Sequence, residues 1–506
     1  MAFGLPSSRR NFLAGLGGFA AAAKLMPGAG LAAEASGAKG PPPSAWTDLG
    51  RAVTGGVLRP EDPFFGDLCR PNNLRYGATL PAGIARCASA GDVQACLRWV
   101  RAQDMPFAVR SGGHNYAGFS TTPGLLIDLS RLAGVAPLPG RDGQVRVLGG
   151  TLNTLAYKQM ERLGRAITHG RCDTVGAAGF LLGGGIGFNM RKFGMGCDGL
   201  RATELVVADG SLVEADAATD AALHWACRGG GGGNFGINTA FTLETRPVTS
   251  VTVFHLTWTE NLPAVLRLLL TELASAPEDF GSKVALSLPS RQERQAGVPA
   301  TVSVLGQLHR SKVSLKEIFQ SSWEWIDKSR SQIKEDVPYW VGQDFLTETT
   351  FPYYYQEKSS YMKAAHLDDA AIAAMFDWAA AMPATSMPVS VKFFQVGGAI
   401  DRVGRTETAY VHRGYDWLFT LEANWWGPTD SAEQVAQVLD WQQRAYDDVN
   451  RRTRAAGAFQ NFSDPSLADW QSAYYGENLA RLAQVKGAVD PTMLFTFAQG
   501  IRPARS

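Results

Sequence analysis

Three glycine-rich runs lie between residues 110 and 237, and they constrain the fold more than any other feature of the chain. The first reads Arg110-Ser111-Gly112-Gly113-His114-Asn115-Tyr116-Ala117-Gly118. The second reads Gly170-Arg171-Cys172-Asp173-Thr174-Val175-Gly176, then passes Gly179 to Gly183-Gly184-Gly185-Ile186-Gly187. The third places five consecutive glycines, Gly229 to Gly233, between Arg228 and Asn234-Phe235-Gly236-Ile237. Ordering glycine costs more chain entropy than ordering any other residue, so an ordinary surface turn does not call for three such runs. Backbone free of side chains can lie against a large polyphosphate ligand, and consecutive N–H groups can turn inward to form an anion nest. The first run lacks both the G-x-G-x-x-G dinucleotide pattern and the lysine of a P-loop, which indicates a phosphate-binding loop of another design.

Composition removes several function classes. Lys and Arg number 48 against 47 Asp and Glu, a formal net charge of +1. This balance argues against a nucleic-acid partner, which calls for a basic excess or stripe. Hydrophobic residues make up 45% and charged residues 19% of 506 positions, enough for a sizeable core in two or three domains. Six cysteines are too few for a disulfide scaffold, and their pairing is not readable from sequence. No H-x-x-x-H or C-x-x-C spacing occurs, so no metal site is expected. Ser7-Ser8-Arg9-Arg10-Asn11-Phe12-Leu13, followed by a weakly apolar stretch, resembles a twin-arginine export signal over residues 1–33. The stretch is too short to span a bilayer. A linker is expected over 34–60, a periplasmic or secreted location follows, and no stable membrane association is expected.

Glycines are dense from about residue 80 to 245 and sparse from about 250 to 455, which divides the chain. The first zone predicts helices over 90–103 and 151–163. Its strands are predicted at 106–110, 125–129, 144–148, 204–208 and 241–244, an α+β mixture. The second zone predicts strands at 251–258, 284–288, 300–309, 388–396 and 416–425. Helices are predicted at 262–275, 314–330 and 431–455. Strands in runs with helices between them indicate a broad antiparallel sheet backed by helices. Alternation along 416–425 places Thr420, Glu422 and Asn424 on one face.

The motifs in combination resemble the berberine bridge enzyme-like group of the vanillyl alcohol oxidase superfamily, with its PCMH-type FAD-binding domain. The matched segments are Arg110–Gly118, Gly170–Gly187 and Arg228–Ile237. Near the C-terminus they are Tyr474-Tyr475-Gly476-Glu477-Asn478 with Arg481-Leu482, Val485-Lys486, Asp490-Pro491, Phe495 and Gln499. The resemblance implies a two-subdomain FAD-binding domain over 61–247 and a substrate domain over 248–455. A C-terminal segment, 456–506, would return to the FAD domain. It implies FAD held bicovalently, through His114 to the 8α-methyl carbon and through Cys172 to ring carbon 6. Imidazole and thiolate are nucleophilic enough for both bonds. Taken alone, His114 would read as a loop histidine and Cys172 as a small buried hydrophobe. Arg110, Ser111, Gly112, Gly113 and Asn115 are expected around the pyrophosphate. Gly176, Gly179, Gly183 and Gly184 are expected along the dinucleotide, and Asn234 and Ile237 near its adenine end or phosphates. Val175 matches a position where valine accompanies oxidase behaviour in that family.

Alcohol oxidation needs a base for the O–H proton and a hydride acceptor. Many family members carry a tyrosine in an Asn-Tyr dipeptide for the first task. Here the dipeptide is Asn461-Phe462, and phenylalanine has no ionisable oxygen. Glu422 is therefore the first candidate base, with an exposed strand carboxylate as the competing reading. Tyr116 matches a tyrosine that contacts substrate in relatives, with a packed core aromatic as the competing reading. Lys392 and Gln395 rank below them. The cluster Phe351-Pro352-Tyr353-Tyr354-Tyr355 with Tyr361 suits stacking on a sugar or aromatic ring, and equally a half-buried sheet edge. The expectation is an exported FAD-dependent oxidase of an alcohol or sugar hemiacetal, using O2 and releasing H2O2. The competing readings are a dehydrogenase of the same fold with another acceptor, and a flavin-carrying binding protein.

Overall fold

The computed structural model describes residues 40–309 and 313–504. The expected twin-arginine segment lies outside the described residues. Part of the expected linker is ordered: Pro43–Ala52 is a helix whose Ala45 and Leu49 are buried. Trp46 from this helix packs on Trp99 with ring centroids 4.6 Å apart, so apolar contact, not chain flexibility, governs this stretch.

Residues 57–247 build two small sheets and a two-stranded ribbon that pairs Arg165–Ala166 with Arg246–Pro247. In the first, Gly83–Arg86, Leu125–Asp128 and Phe107–Arg110 run parallel in that spatial order, with Val57–Leu58 antiparallel at the edge. The helix Ala90–Ala102 supplies the crossover, capped by the Ser89 hydroxyl, which accepts from the Asp92 N–H. The second sheet is antiparallel. Its order is Val135–Pro137, Gln144–Leu148, Ile237–Glu244, Leu200–Val206, Leu212–Asp216. The glycine runs leave from the ends of these strands: the first follows Phe107–Arg110, and the third leads into Ile237–Glu244.

The remaining large element is a seven-stranded antiparallel sheet. Its order is Gln332–Pro338, Ser250–Trp258, Thr301–His309, Phe280–Leu288, Val389–Gln395, Trp417–Trp425, Tyr354–Met362. The alternation of Trp417–Trp425 explains its two faces. Trp417, Phe419, Leu421 and Ala423 enter a core shared with the helices Leu262–Glu272, Asp369–Ala380 and Ala432–Thr453. Thr420, Glu422 and Asn424 point the other way and are also buried. The architecture is the α+β arrangement expected, with the broad antiparallel sheet backed by helices.

One local expectation fails for a tertiary reason, and one of the two readings of the tyrosine cluster holds. The helix expected over 314–330 stops after Leu315–Phe319, and Gln320 to Trp325 tighten into a 3-10 turn. Ser322 is pulled inward there: its hydroxyl donates to Glu272 at 2.8 Å, and its carbonyl accepts from Trp258 Nε1 at 2.9 Å. The tyrosine cluster belongs to a strand, Tyr354–Met362, which forms the sheet edge beside Trp417–Trp425.

The C-terminal helix Leu479–Val489 packs on the helix Ala221–Ala226 and brings Leu482 and Val485 into the core of the FAD-binding part. Lys486, 0% exposed, pins the third glycine run to this segment. Its ammonium donates to Asp490 Oδ2, the Asn234 carbonyl and the Phe495 carbonyl, each at 2.7 Å. Removing one partner of such a pair strands the other as a buried charge. Lys486→Met is accordingly expected to destabilise the protein by about 3–5 kcal/mol. The check is the shift of the urea unfolding midpoint against wild type, and an unchanged midpoint contradicts this role.

Candidate active site

The three glycine runs, three strands of the large sheet and the C-terminal segment enclose one cavity of about 580 Å³. The approach of the first two runs shapes it. A side-chain carbon at Gly112 would overlap the Gly176 nitrogen and the Thr174 carbonyl oxygen, and one at Gly176 would overlap Ser111. Backbone thus lies on backbone, which only glycine allows at this separation. Ser111 fixes the approach from the side by donating to the Gly149 carbonyl at 2.7 Å.

Most of the residues expected at a cofactor line this cavity: Ser111, Gly112, Gly113, His114, Asn115, Val175, Gly176, Gly179, Asn234 and Ile237, together with Cys172 and Tyr116. Asn115 accepts from the N–H groups of Ala117 and Phe119, which holds the turn after His114. Asn234 accepts from the Ile501 N–H at 2.9 Å, a second tie to the C-terminal segment. Three expected residues serve elsewhere. The Arg110 guanidinium donates to the carbonyls of Ser120, Leu68 and Cys69, so it braces the loop from behind. Gly183 and Gly184 make room for neighbours: a side chain at the former would overlap Asn461, and at the latter would crowd Tyr410 and Phe459.

His114 and Cys172 are brought to the same wall. An imidazole nitrogen of His114 lies 2.8 Å from the Thr174 hydroxyl, two residues beyond Cys172. Burial pushes the His114 pKa down to about 4, so the ring is neutral near pH 7. Burial pushes the Cys172 thiol up to about 11, opposed by the neighbouring Arg171. Arg171 pairs with Glu348, whose carboxyl Arg171 holds down at about 2. Neither Arg171 nor Glu348 was singled out from sequence. Glu348 arrives from a loop that bridges Cys172 through backbone pairing, a contact no local pattern announces.

The sheet face opposite holds a second charged group. Lys392 pairs with Glu422, and its ammonium lies 3.6 Å from Glu357 Oε1. Glu422 also accepts from the Tyr353 hydroxyl at 2.9 Å. Glu357 and Glu422 are direct cross-strand partners, so register places the two carboxylates side by side. Glu357 and Lys392 line the cavity, with Glu422 held behind Lys392. Burial works against the charge on Lys392, but Glu357 and Glu422 outweigh it and hold its pKa above the usual value. Lys283, from the strand Phe280–Leu288, is pushed down to about 7 by burial and by Arg171 and Lys392. Gln395 points away and donates to the Leu273 carbonyl.

Tyr116 completes the wall. Its ring meets Tyr355 edge-on at 4.9 Å and Phe462 at 5.2 Å. Tyr353 continues the aromatic series at 4.8 Å from Tyr355, and Phe351, half exposed, follows at 6.0 Å. Tyr354 and Tyr361 face other parts of the molecule, against Trp425 and His412. Glu357 was missed from sequence although its signal was present. Once 354–362 is read as a strand, Tyr355, Glu357 and Ser359 share a face by alternation.

Two family models match at the two ends of this site: an FAD binding domain over residues 81–216, and a berberine and berberine-like segment over residues 458–502. The chain carries the FAD-binding and berberine-like segments of the berberine bridge enzyme-like flavoproteins and is similar to them along most of its length. An uncharacterised FAD-linked oxidoreductase of Bacillus subtilis, YgaK, is 28% identical over 465 residues, covering 90% of this chain and 98% of that protein. A carbohydrate oxidase of Microdochium nivale is 29% identical over 479 residues, 86% of this chain and 90% of the relative. The solved berberine bridge enzyme of Eschscholzia californica shares the fold, with a TM-score of 0.80 at 22% identity over 92% of this chain and 99% of that one. This berberine bridge enzyme-like protein is an FAD-dependent oxidoreductase acting on a sugar or alcohol, and the glycine-walled cavity fits the cofactor.

The backbone contact between the first two runs is expected to be needed for flavin binding in this protein. Gly112→Ala should be purified with most of its flavin missing, read as the ratio of flavin to protein absorbance. A full flavin complement in that variant would show that the contact can be relaxed.

Proposed function

We propose that this protein is an exported oxidase that converts an alcohol, or the hemiacetal of a sugar, to the carbonyl level and passes the electrons to O2 as H2O2. The observation that carries the reading is the single cavity joining the cofactor loops to the polar sheet face. There Tyr116 stands beside the Glu357, Lys392 and Glu422 cluster. Bound FAD supplies a two-electron acceptor for the hydride leaving the carbinol carbon. The chain's own residues must then orient the hydroxyl and take its proton. Tyr116 and the carboxylates are the groups at hand, since Phe462 has no oxygen. The carbohydrate oxidase relative supports a saccharide substrate, and the Tyr116 ring on the cavity wall offers an aromatic face to a sugar.

FAD is held through both His114 and Cys172 in this reading. His114, neutral and with a free ring lone pair, and Cys172, once its thiol proton is lost, are the residues that would hold the flavin covalently. Val175, on the cavity wall three residues beyond Cys172, supports access of O2. The paired Arg9 and Arg10 support export through the twin-arginine route.

Two measurements test these claims. After acid precipitation the yellow chromophore should stay with the polypeptide, and Cys172→Ala should keep one linkage through His114. Free flavin in the wild-type supernatant would rule out covalent attachment. In the second, the flavin is bleached anaerobically with a panel of saccharides and alcohols and then exposed to air. Reoxidation is expected to keep pace with turnover. Reoxidation slower than turnover with a dye acceptor would assign a dehydrogenase instead.

A further inference from the structure

The site holds two carboxylates, and the structure distinguishes them. Glu422 is occupied: it accepts from Tyr353 and pairs with Lys392. Glu357 is 1% exposed, lines the cavity, and its Oε1 has no hydrogen-bond partner. Tyr116 lines the same cavity, and its ring meets Tyr355, which shares a sheet face with Glu357 two residues further on. A buried carboxylate left short of donors has capacity for one more proton.

We propose that Glu357 is the proton acceptor of the oxidation, reached through Tyr116, while Glu422 serves to position Lys392. This assignment rests on the oxidoreductase reading above and names the groups that carry its proton step. The substrate O–H bond breaks as its proton moves to the Tyr116 oxygen. The Tyr116 proton moves in the same event to Glu357. Bound FAD would take the carbinol hydrogen with both electrons as the C–O bond becomes a carbonyl. The proton on Glu357 returns to solvent before the next cycle. Tyr116 cannot serve as a free phenolate, because burial and the carboxylates Glu357 and Glu422 hold its pKa well above the usual value. It can relay a proton only with an acceptor behind it.

The groups facing Glu357 set its affinity for that proton. Burial raises it, Lys392 from the strand Val389–Gln395 lowers it, and Glu422 from Trp417–Trp425 raises it. The nearby hydroxyls of Thr420 and of Tyr116, in the first glycine run, lower it. The uncharged Thr420 lies on the same face as Glu422. The expected pH behaviour follows with its sign. Activity should be lost as pH falls through the Glu357 pKa, because protonated Glu357 cannot accept. Glu422→Gln removes a neighbouring negative charge, so the acid limb should move to lower pH. Lys392→Met removes a positive charge, so the limb should move to higher pH.

The experiment is a pH profile of kcat/KM for the holoenzyme and three variants, paired with infrared titration of the resting holoenzyme. Glu357→Gln should lower kcat/KM by about 10²–10⁴-fold, abolish the acid limb, and delete a protonated-carboxyl stretch that grows in wild type as pH falls. The limb and the infrared band should shift together, down in Glu422→Gln and up in Lys392→Met. A purely structural role for Glu357 would not move them in opposite directions. The proposal is overturned if Glu357→Gln keeps the limb and the band, or if Glu422→Gln abolishes both. Failure of every compound in the panel to bleach wild-type flavin would instead refute the oxidoreductase reading. The infrared titration needs no substrate and still decides whether Glu357 holds the titrating proton.

Discussion

The site depends on one contact, the meeting of Gly112 and Gly176 backbone to backbone. Their approach carries His114 to Thr174 and sets Tyr116 and Cys172 on adjoining walls of one cavity. Side chains at these positions would hold the loops apart by their own thickness, and the walls would no longer close. The third run reaches the same cavity by a different device. The buried ammonium of Lys486 holds Asn234 from the C-terminal side, so the last part of the chain completes a pocket begun by the first.

The opposite wall is assembled by register. Antiparallel pairing sets Glu357 against Glu422, and Lys392 on the next strand reaches both. Two neighbouring buried carboxylates repel each other, and the lysine between them offsets that repulsion. Buried charges of this kind contribute little net stability compared with apolar packing. The strand Trp417–Trp425 turns Trp417, Phe419, Leu421 and Ala423 to its other face, so its one charged side chain stands on the cavity side. The aromatic rings from Phe351 inward to Phe462 enclose the charges, which strengthens electrostatic interactions inside the pocket.

Local chemistry was legible where it depended on short segments. The glycine runs identified the cofactor loops, because the demand for backbone without side chains is written residue by residue. Alternation in Trp417–Trp425 identified which face carries Glu422. Legibility failed where distant contacts decide. Arg110 sits inside a cofactor motif yet bonds carbonyls behind the loop, and Gly183 and Gly184 accommodate Asn461, Tyr410 and Phe459. The segment after Phe319 has a helical pattern, but Ser322 finds better partners in Glu272 and Trp258. Glu348 and Glu357 went unassigned because their neighbours come from elsewhere in the chain.

The sequence by itself determined the family, the FAD-binding character, the α+β class and the absence of a tyrosine at position 462. Each follows from residue types at fixed short spacing. Only the tertiary structure decided which carboxylate faces the cavity and which stands behind a lysine. That distinction is made by strand register and by hydrogen bonds spanning many tens of residues. Side chains are ranked by the donors that reach them, and those donors are known only once the chain has folded.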